Sequence, residues 1–312
     1  MTRSAPTIFA ATRGVTDCAG KNPVTVDSPP VHIVASNKAA ADLLARIGAG
    51  SQILGLGWAR GLDALPLGVR GELRNAERFS DGDIDKETLL AAGGDMYLTT
   101  FAGMEMMGTA EPSKADFDAA GLRPVYVKSS ACALSSARRD LGAVFEDIRT
   151  IAALTGHASN GADLVAHMRA QIAHAQASIP AGKTEPTVFH MDVAASGDGL
   201  VTPGNRQIAN AIYTLAKVRP LGESVDSSFS RFSYEQLVAA DPDWITIAVR
   251  RTGDDTSIKR AQDIAISALK ADPRTANLGA ITGNRFLRAT SEDMTLAGPQ
   301  NADQVVNIID EV

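Results

Sequence analysis

The chain has 312 residues, of which 45% are hydrophobic and 21% are charged, and its formal net charge is −6. This length allows two domains with sizeable cores, and the composition is typical of a globular protein. The acidic balance argues against nucleic acid or an anionic membrane surface as the main partner, and no apolar run is long enough to cross a bilayer.

The first half of the chain alternates short strands with helices. Residues 1–30 are polar and interrupted by prolines, which favours an extended arm. Helical spacing predicts a helix that begins after Ser36 or Asn37 and another over residues 114–120. Apolar runs predict strands over residues 33–35, 53–57, 96–100 and 124–128. This alternation indicates a small doubly wound lobe with a parallel sheet.

A long helical segment separates this lobe from a second one. Residues 138–178 keep an apolar face at helical spacing, with a break at Gly156. The helix after the break spans about 20 residues, or roughly 30 Å, which is longer than an ordinary crossover helix. The second lobe is predicted from a strand at 187–191, a helix beginning at Gly204, a helix and strand at 233–249, a helix at 255–269, a strand at 285–289 and a helix at 300–309.

We therefore predict an α/β protein with two doubly wound lobes joined by a long rigid helix and a ligand cleft between the lobes. The predicted divisions are an N-terminal lobe with its arm at 1–157, the backbone helix at 158–179 and a C-terminal lobe at 180–312.

Two stretches of the chain, residues 85–100 and 233–249, share one layout of a capped helix, a two-residue break and an apolar strand. Such a unit belongs to a parallel sheet, so two copies indicate two lobes of similar build. The superposed acidic residues are Glu87 with Glu235 and Asp95 with Asp243.

Candidate ligand-binding residues lie where the predicted strands end, because ligands of parallel α/β sheets bind beyond the carboxyl ends of the strands. The planar guanidinium of arginine donates paired hydrogen bonds to carboxylate or catecholate oxygens, while methionine and tryptophan pack against irregular apolar surfaces. The lining therefore suits a large, partly apolar chelate with anionic oxygens. Its candidate residues are Trp58, Phe101, Met104 and Met106 on the first lobe, and Asp192, Ser196, Arg231, Arg250 and Arg251 on the second.

Other interpretations of these residues stay open. The methionines are equally compatible with core packing or a lid, and the two adjacent arginines with a solvated strand end. Strand alternation sends Arg250 and Arg251 to opposite sides, which predicts that only one of them faces the cleft.

The sequence contains no arrangement typical of a catalyst. The five histidines are scattered, the serine pairs lack a nucleophile elbow, and Gly55 and Gly57 lack the rest of a dinucleotide fingerprint. No cluster of His, Asp or Glu has the spacing of metal ligands. We therefore predict a binding protein and not an enzyme, with no cofactor and no metal bound directly by protein side chains.

The two cysteines, Cys18 and Cys132, are isolated and share no metal-type spacing. Free thiols of a cytosolic protein and a single disulfide in an oxidising compartment are both compatible with that spacing.

Several segments, taken in order, carry a resemblance to a known family. They are Cys18-Ala-Gly with Val24-Thr-Val, Ile33-Val-Ala with its following helix, the two repeat copies, the long helix and a Gly-Pro segment at 296–305. From about residue 17 to its end, the chain resembles the helical-backbone class of bacterial ABC-transporter substrate-binding proteins. That class binds ferric siderophores, haem and cobalamin.

The resemblance implies a disulfide between Cys18 and Cys132 and an extracytoplasmic location, with a signal or lipid anchor outside this sequence. It also implies that Glu87 and Glu235 dock onto the membrane permease of an ABC importer. Exposed glutamates in a first helical turn are equally ordinary partners of the helix dipole.

The ligand that the resemblance and the candidate lining favour is an iron chelate, a ferric siderophore whose metal arrives already coordinated. Haem and cobalamin are the alternatives within the same fold. Haem usually needs an axial histidine or tyrosine, and His190, Tyr97 and Tyr126 all fall within predicted strands. We expect a monomer whose partners are this small-molecule chelate and the permease, with no nucleic-acid partner.

Overall fold

The structure, a computed structural model, describes residues 15–16, 18, 23–24, 28–60, 62, 65–100, 112–132, 136–193 and 199–312. Over these ranges it contains two parallel sheets with flanking helices and two small two-stranded antiparallel sheets. Within them, no helix combines the length and apolar character needed to span a membrane. The predicted α/β class with two lobes is confirmed.

The first lobe is built around a five-stranded parallel sheet in the order β5-β4-β3-β6-β7, preceded by the hairpin β1–β2. Its strands are β1 (Val15–Thr16), β2 (Pro23–Val24), β3 (Ile33–Ala35), β4 (Ile53–Leu56), β5 (Glu77–Arg78), β6 (Met96–Thr99) and β7 (Arg123–Tyr126). Its helices are α1 (Lys38–Arg46), α2 (Leu67–Glu72), α3 (Lys86–Ala91), α4 (Lys114–Ala120), α5 (Lys128–Ala131) and α6 (Gly142–Leu154), with a short 3-10 turn at Gly50–Gln52.

The strand order makes β3 the switch point of this sheet, because the chain leaves β3 toward β4 on one side and returns to β6 on the other. Ligands of such sheets bind in the crevice beyond the carboxyl ends at the switch point. There, Asn37 caps α1 through bonds from the Ala39 and Ala40 amides and also donates to Thr100. The start of α1 is thereby fixed at the crevice.

The second lobe has a four-stranded parallel sheet in the order β10-β8-β12-β13, with the antiparallel pair β9–β11 beside it. Its strands are β8 (Thr187–Asp192), β9 (Leu200–Pro203), β10 (Arg219–Pro220), β11 (Phe229–Phe232), β12 (Trp244–Val249) and β13 (Phe286–Thr290). The helices, apart from a 3-10 turn at Leu221–Ser224, are α8 (Ile208–Leu215), α9 (Tyr234–Ala240), α10 (Asp255–Ala271), α11 (Gly279–Thr282), α12 (Ser291–Thr295) and α13 (Gln300–Glu311).

The long helix α7 (Ala158–Ala177) connects the lobes and begins after a break at Gly156, whose φ is +84°. It packs against α6 of the first lobe and α13 of the second. Its buried residues Val165, Met168 and Ile172 join one continuous hydrophobic core that contains residues of both sheets. The lobes are therefore linked by shared packing as well as by the chain, while the predicted division limits stay predictions.

Several element limits differ from the sequence prediction by a few residues, and two of these differences have a clear local reason. The strand predicted over 124–128 ends at Tyr126, because Lys128 already begins α5. The helix predicted from Gly204 begins at Ile208, because the backbone of Gln207 is extended, with ψ of 153°, and its side chain caps the helix by accepting the Ile208 amide.

The predicted repeat recurs at the level of single hydrogen bonds. The Asp95 carboxylate accepts the amides of Val31 and His32, just before β3, at 2.8 and 3.1 Å. Asp243 accepts the amide and hydroxyl of Thr187, at the start of β8, both at 2.8 Å. Each repeat aspartate thus holds the start of a strand in the interior of its sheet.

Candidate ligand-binding cleft

The carboxyl ends of strands from both lobes enclose a small space that we call the interlobe cavity, with a volume of about 30 Å³. Strands β3 and β4 contribute the segments that follow them on the first lobe, and β12 and β13 do so on the second. The lining residues are Asn37, Lys38, Ala39, Trp58, Arg60, Arg250, Arg251, Glu292 and Leu296.

Trp58 has the most constrained backbone in this cavity. Its φ is +45°, in the left-handed region that tryptophan rarely adopts. Its amide donates to the Gly82 carbonyl at 2.8 Å, and its indole Nε1 donates to Asp83 Oδ1 at 2.7 Å. Backbone strain of this kind persists where surrounding contacts enforce it, and it concentrates at binding sites.

Arg250 crosses from the second lobe to this indole. Its guanidinium carbon lies 5.4 Å from the centroid of the Trp58 ring, within the range of a cation–π contact. Among the described residues, no carboxylate forms an ion pair with Arg250, although the side chain is half-buried. Arg250 is therefore a positive charge without a close ion pair, although Glu292 lies near enough to interact with it electrostatically.

Most of the cations that line the cavity are paired. The lining contains Lys38, Arg60, Arg250 and Arg251 with one carboxylate, Glu292. From just outside the lining, Asp293 forms ion pairs with both Lys38 and Arg251. Arg60 is paired with Asp81 at 3.1 Å in an exposed ion pair. Burial raises the pKa of Glu292, although a hydrogen bond from the Arg251 amide works in the opposite direction. Arg250 is therefore the lining cation that has no ion pair in the described part of the chain, and it favours a ligand that brings negative charge.

The structure brings three of the predicted ligand-binding residues, Trp58, Arg250 and Arg251, to the interlobe cavity. The prediction that only one arginine faces the cleft differs from this geometry, because β12 ends at Val249 and strand alternation no longer applies beyond it. Of the two, Arg251 is engaged by Asp293 at 2.9 Å.

The other predicted ligand-binding residues are not among those that line this cavity. Asp192 is the last residue of β8 and is buried, while Arg231 lies exposed on β11 opposite Val201. Four of the predicted residues lie outside the part of the chain that the structure describes: Phe101, Met104, Met106 and Ser196. Their role in binding stays a prediction.

Sequence reasoning missed Asn37, Lys38 and Glu292. They follow β3 and β13, two strands after which the sequence prediction named no ligand-binding residue. The signal was present, since both strands belong to parallel sheets and so direct their ends to the same crevice.

The two cysteines form a disulfide, with Cα atoms 5.2 Å apart. It joins the arm that carries the β1–β2 hairpin to the residue that ends α5. The pairing implied by the family resemblance is confirmed, and the free-thiol alternative is excluded.

Glu87 and Glu235 occupy equivalent exposed positions in the first turns of α3 and α9. Each helix leads into a parallel strand and must run back along its sheet, so its first turn lies near the edge where the strands end. A hydrogen bond with the Ser233 side chain lowers the pKa of Glu235, which is therefore charged at neutral pH.

The histidines and tyrosines all lie in described parts of the chain, and none lines the interlobe cavity. His190 is 1% exposed, its Nδ1 lies 2.9 Å from the Tyr213 hydroxyl, and burial lowers its pKa to about 3. Within the described ranges, no group of three or more His, Cys, Asp or Glu side chains is arranged to hold a metal ion.

Comparison with solved structures identifies the fold. A periplasmic binding protein from Veillonella parvula is 19% identical, with a TM-score of 0.78 and 92% of each chain covered. An ABC-type Fe3+-hydroxamate transport protein from Saccharomonospora viridis is 18% identical, with a TM-score of 0.78 and coverage of 96% of this chain and 98% of that one. The triscatecholate siderophore binding protein of Bacillus subtilis, solved with ferri-bacillibactin, is 14% identical, with a TM-score of 0.66 and coverage of 93% and 94%.

The curated proteins contain no match to the chain. A family model described as periplasmic binding protein matches residues 33–292, from β3 to α12, and so covers both lobes and the cleft. Proteins of this family bind substrates for ABC transporters outside the cytoplasm and are not enzymes. The chain belongs to the periplasmic binding protein family.

Proposed function

We propose that this protein captures a ferric siderophore in the cleft between its lobes and delivers it to an ABC importer. The observation that carries the proposal is Arg250, a guanidinium stacked against Trp58 at 5.4 Å with no ion pair among the described residues. An arginine held in this way is poised for two-point hydrogen bonds to ligand oxygens and keeps its charge when water is removed.

The charge of Arg250 supports an anionic chelate. Ferric complexes of three catecholates or of hydroxycarboxylates carry net negative charge, whereas a ferric complex of three hydroxamates is neutral. Arg250, the lining cation without an ion pair in the described part of the chain, favours the anionic complexes by Coulomb attraction in a partly desolvated site. We therefore propose catecholate or carboxylate siderophores as the preferred ligand class.

The small volume of the interlobe cavity bears on how such a ligand enters. A space of about 30 Å³ is of the size that one or two water molecules occupy. We propose that a chelate separates Arg250 from the Trp58 ring as it enters. Ligand oxygens then replace the indole as the partner of the guanidinium, and the exposed ring offers an apolar face to the ligand.

Haem or cobalamin binding within the same fold is the alternative. An axial histidine or tyrosine would favour haem, but all residues of these two types lie away from the interlobe cavity. Burial of His190 to 1% exposure removes the one histidine located in a strand of the second lobe. The siderophore proposal therefore has the stronger support.

Delivery to the permease is proposed to use Glu87 and Glu235. Support comes from their equivalent positions in the two lobes, their exposure and the lowered pKa of Glu235. A membrane anchor on this protein, such as a lipid, is also part of the proposal and would keep it near the importer.

Native mass spectrometry of the protein with a mixed panel tests the function directly. The panel contains ferric catecholate, hydroxamate and citrate-type siderophores, haem and cobalamin, each at micromolar concentration. We expect retention of an anionic ferric siderophore. Retention of haem or cobalamin alone would refute the siderophore proposal. Retention of no ligand from the panel would refute the proposal that the protein binds a metal chelate of any of these kinds.

A further inference from the structure

A buried carboxylate, Asp293, connects the two lobes beside the interlobe cavity. Its Oδ1 lies 3.6 Å from Lys38 Nζ of the first lobe, and its Oδ2 accepts a hydrogen bond from Arg251 Nη2 of the second lobe at 2.9 Å. The side chains of Lys38, Arg251 and Asp293 are each only 12% exposed. One carboxylate thus holds a cation from each lobe.

The position of Lys38 is unfavourable without this partner. Lys38 is the first residue of α1, where the positive end of the helix dipole repels a cation. Burial lowers the pKa of Lys38, and the charge of Asp293 works against that effect. A buried ammonium group is tolerated when it is paired, so the placement of Lys38 depends on Asp293.

Asp293 is itself fixed in place. The Thr290 side chain caps α12 and accepts the Asp293 amide at 3.3 Å. Its partner Arg251 is also fixed by its backbone, because the Arg251 amide donates to Glu292 at 3.1 Å. Burial raises the pKa of Asp293, but the charges of Lys38 and Arg251 outweigh burial and bring that pKa below its ordinary value. The carboxylate is therefore ionised at neutral pH.

We propose that Asp293 is a positioning residue that fixes the spacing of the lobes in the ligand-free protein and so keeps Arg250 against Trp58. By binding Arg251, it also leaves the adjacent Arg250 as the arginine available to a ligand. Because this spacing is a property of the ligand-free molecule, it can be tested without knowing which ligand the protein carries.

The test measures how accessible Trp58 is when no ligand is present. A Trp244→Phe background leaves Trp58 as the sole tryptophan, and acrylamide quenching of its fluorescence reports its exposure. In that background, Asp293→Asn keeps the side-chain shape but removes the charge, so Lys38 and Arg251 repel each other. We expect the quenching constant to rise about twofold as the lobes separate at the cavity.

Further variants separate positioning from general destabilisation. Lys38→Met removes the Lys38–Asp293 contact between the lobes but keeps the Asp293–Arg251 pair, so it remains informative if Asp293→Asn folds poorly. We expect Lys38→Met also to raise the quenching constant of Trp58. Asp293→Glu keeps the negative charge, so Trp58 is expected to be less accessible to acrylamide in this variant than in Asp293→Asn. The control is Asp263→Asn, which breaks the exposed Arg288–Asp263 pair within the second lobe and is expected to leave quenching unchanged. The proposal is overturned if Asp293→Asn and Lys38→Met both fold, by circular dichroism, and quench like their parent.

Discussion

At the scale of single residues, the cleft depends on a tryptophan in a conformation that its side chain disfavours. The φ of +45° at Trp58 is maintained by the bond from its amide to Gly82 and by the bond from its indole to Asp83. The backbone and indole contacts together aim the ring toward Arg250. The strained backbone of Trp58 therefore accompanies the placement of its ring against Arg250.

This strain predicts an unusual order of stability at position 58. Trp58→Gly is expected to be more stable than Trp58→Ala by about 1 kcal/mol in the free energy of unfolding, because glycine adopts the left-handed region without a steric cost. Urea denaturation of the two variants measures the difference. Arg60 is the control position, since its φ is not positive and alanine should there be more stable than glycine. Equal or reversed stabilities at position 58 would show that φ carries no strain.

At the scale of elements, the two lobes repeat one device in which an aspartate before a strand fastens the start of another strand. Asp95 precedes β6 and holds the residues before β3, while Asp243 precedes β12 and holds the start of β8. Both carboxylates accept two hydrogen bonds. The repeat therefore preserves a hydrogen-bonding role as well as a sequence pattern.

Loss of either aspartate should weaken the protein to a similar extent. Asp95→Ala and Asp243→Ala are each expected to lower the free energy of unfolding by about 0.5–1.5 kcal/mol, because each loses exposed hydrogen bonds at the start of a strand, where water partly replaces the lost acceptor. Asp118→Ala is the control, since its pair with Lys114 is 63% exposed and contributes little. Chemical denaturation compares the three variants, and an Asp95 or Asp243 variant as stable as the Asp118 variant would contradict the assignment.

Much of this element-level organisation could be predicted from the sequence, because apolar periodicity and the repeated acidic positions are local signals. The same reasoning placed Trp58, Arg250 and Arg251 at strand ends, where they line the cavity. It could not identify the Lys38–Asp293 pair, since these residues are far apart in sequence and their contact depends on the relative placement of the lobes. For the same reason, it could not show which arginine is engaged by a carboxylate.

At the scale of the whole molecule, the lobes are joined by a core that runs through α6, α7 and α13. Residues of both sheets, such as Ile33 and Val188, belong to the same hydrophobic cluster as Val165 of α7 and Val305 of α13. A long helix packed on both sides in this way resists bending. The structure therefore favours small adjustments at the cleft over large movements of one lobe against the other.

The shared core predicts that both lobes unfold together. Trp58 reports on the first lobe and Trp244 on the second, so Trp244→Phe and Trp58→Phe each leave one lobe with a fluorescent reporter. We expect thermal unfolding monitored by each remaining tryptophan to coincide with the loss of helical circular dichroism measured in the same variant. Separate transitions in either variant would show that the two lobes are stabilised independently.

The most direct test of the central claim is isothermal titration calorimetry of wild type and Arg250→Ala with three ferric siderophores. These are an anionic tris-catecholate, anionic ferric citrate and a neutral tris-hydroxamate. We predict tighter binding of an anionic complex than of the neutral one, and a loss of about tenfold to a hundredfold in its affinity on Arg250→Ala, as for the loss of a charge-assisted hydrogen bond. Arg288→Ala, which alters an arginine outside the interlobe cavity that is paired with Asp263, should bind as wild type does. Equal affinity of wild type and Arg250→Ala for every siderophore that binds would contradict the account.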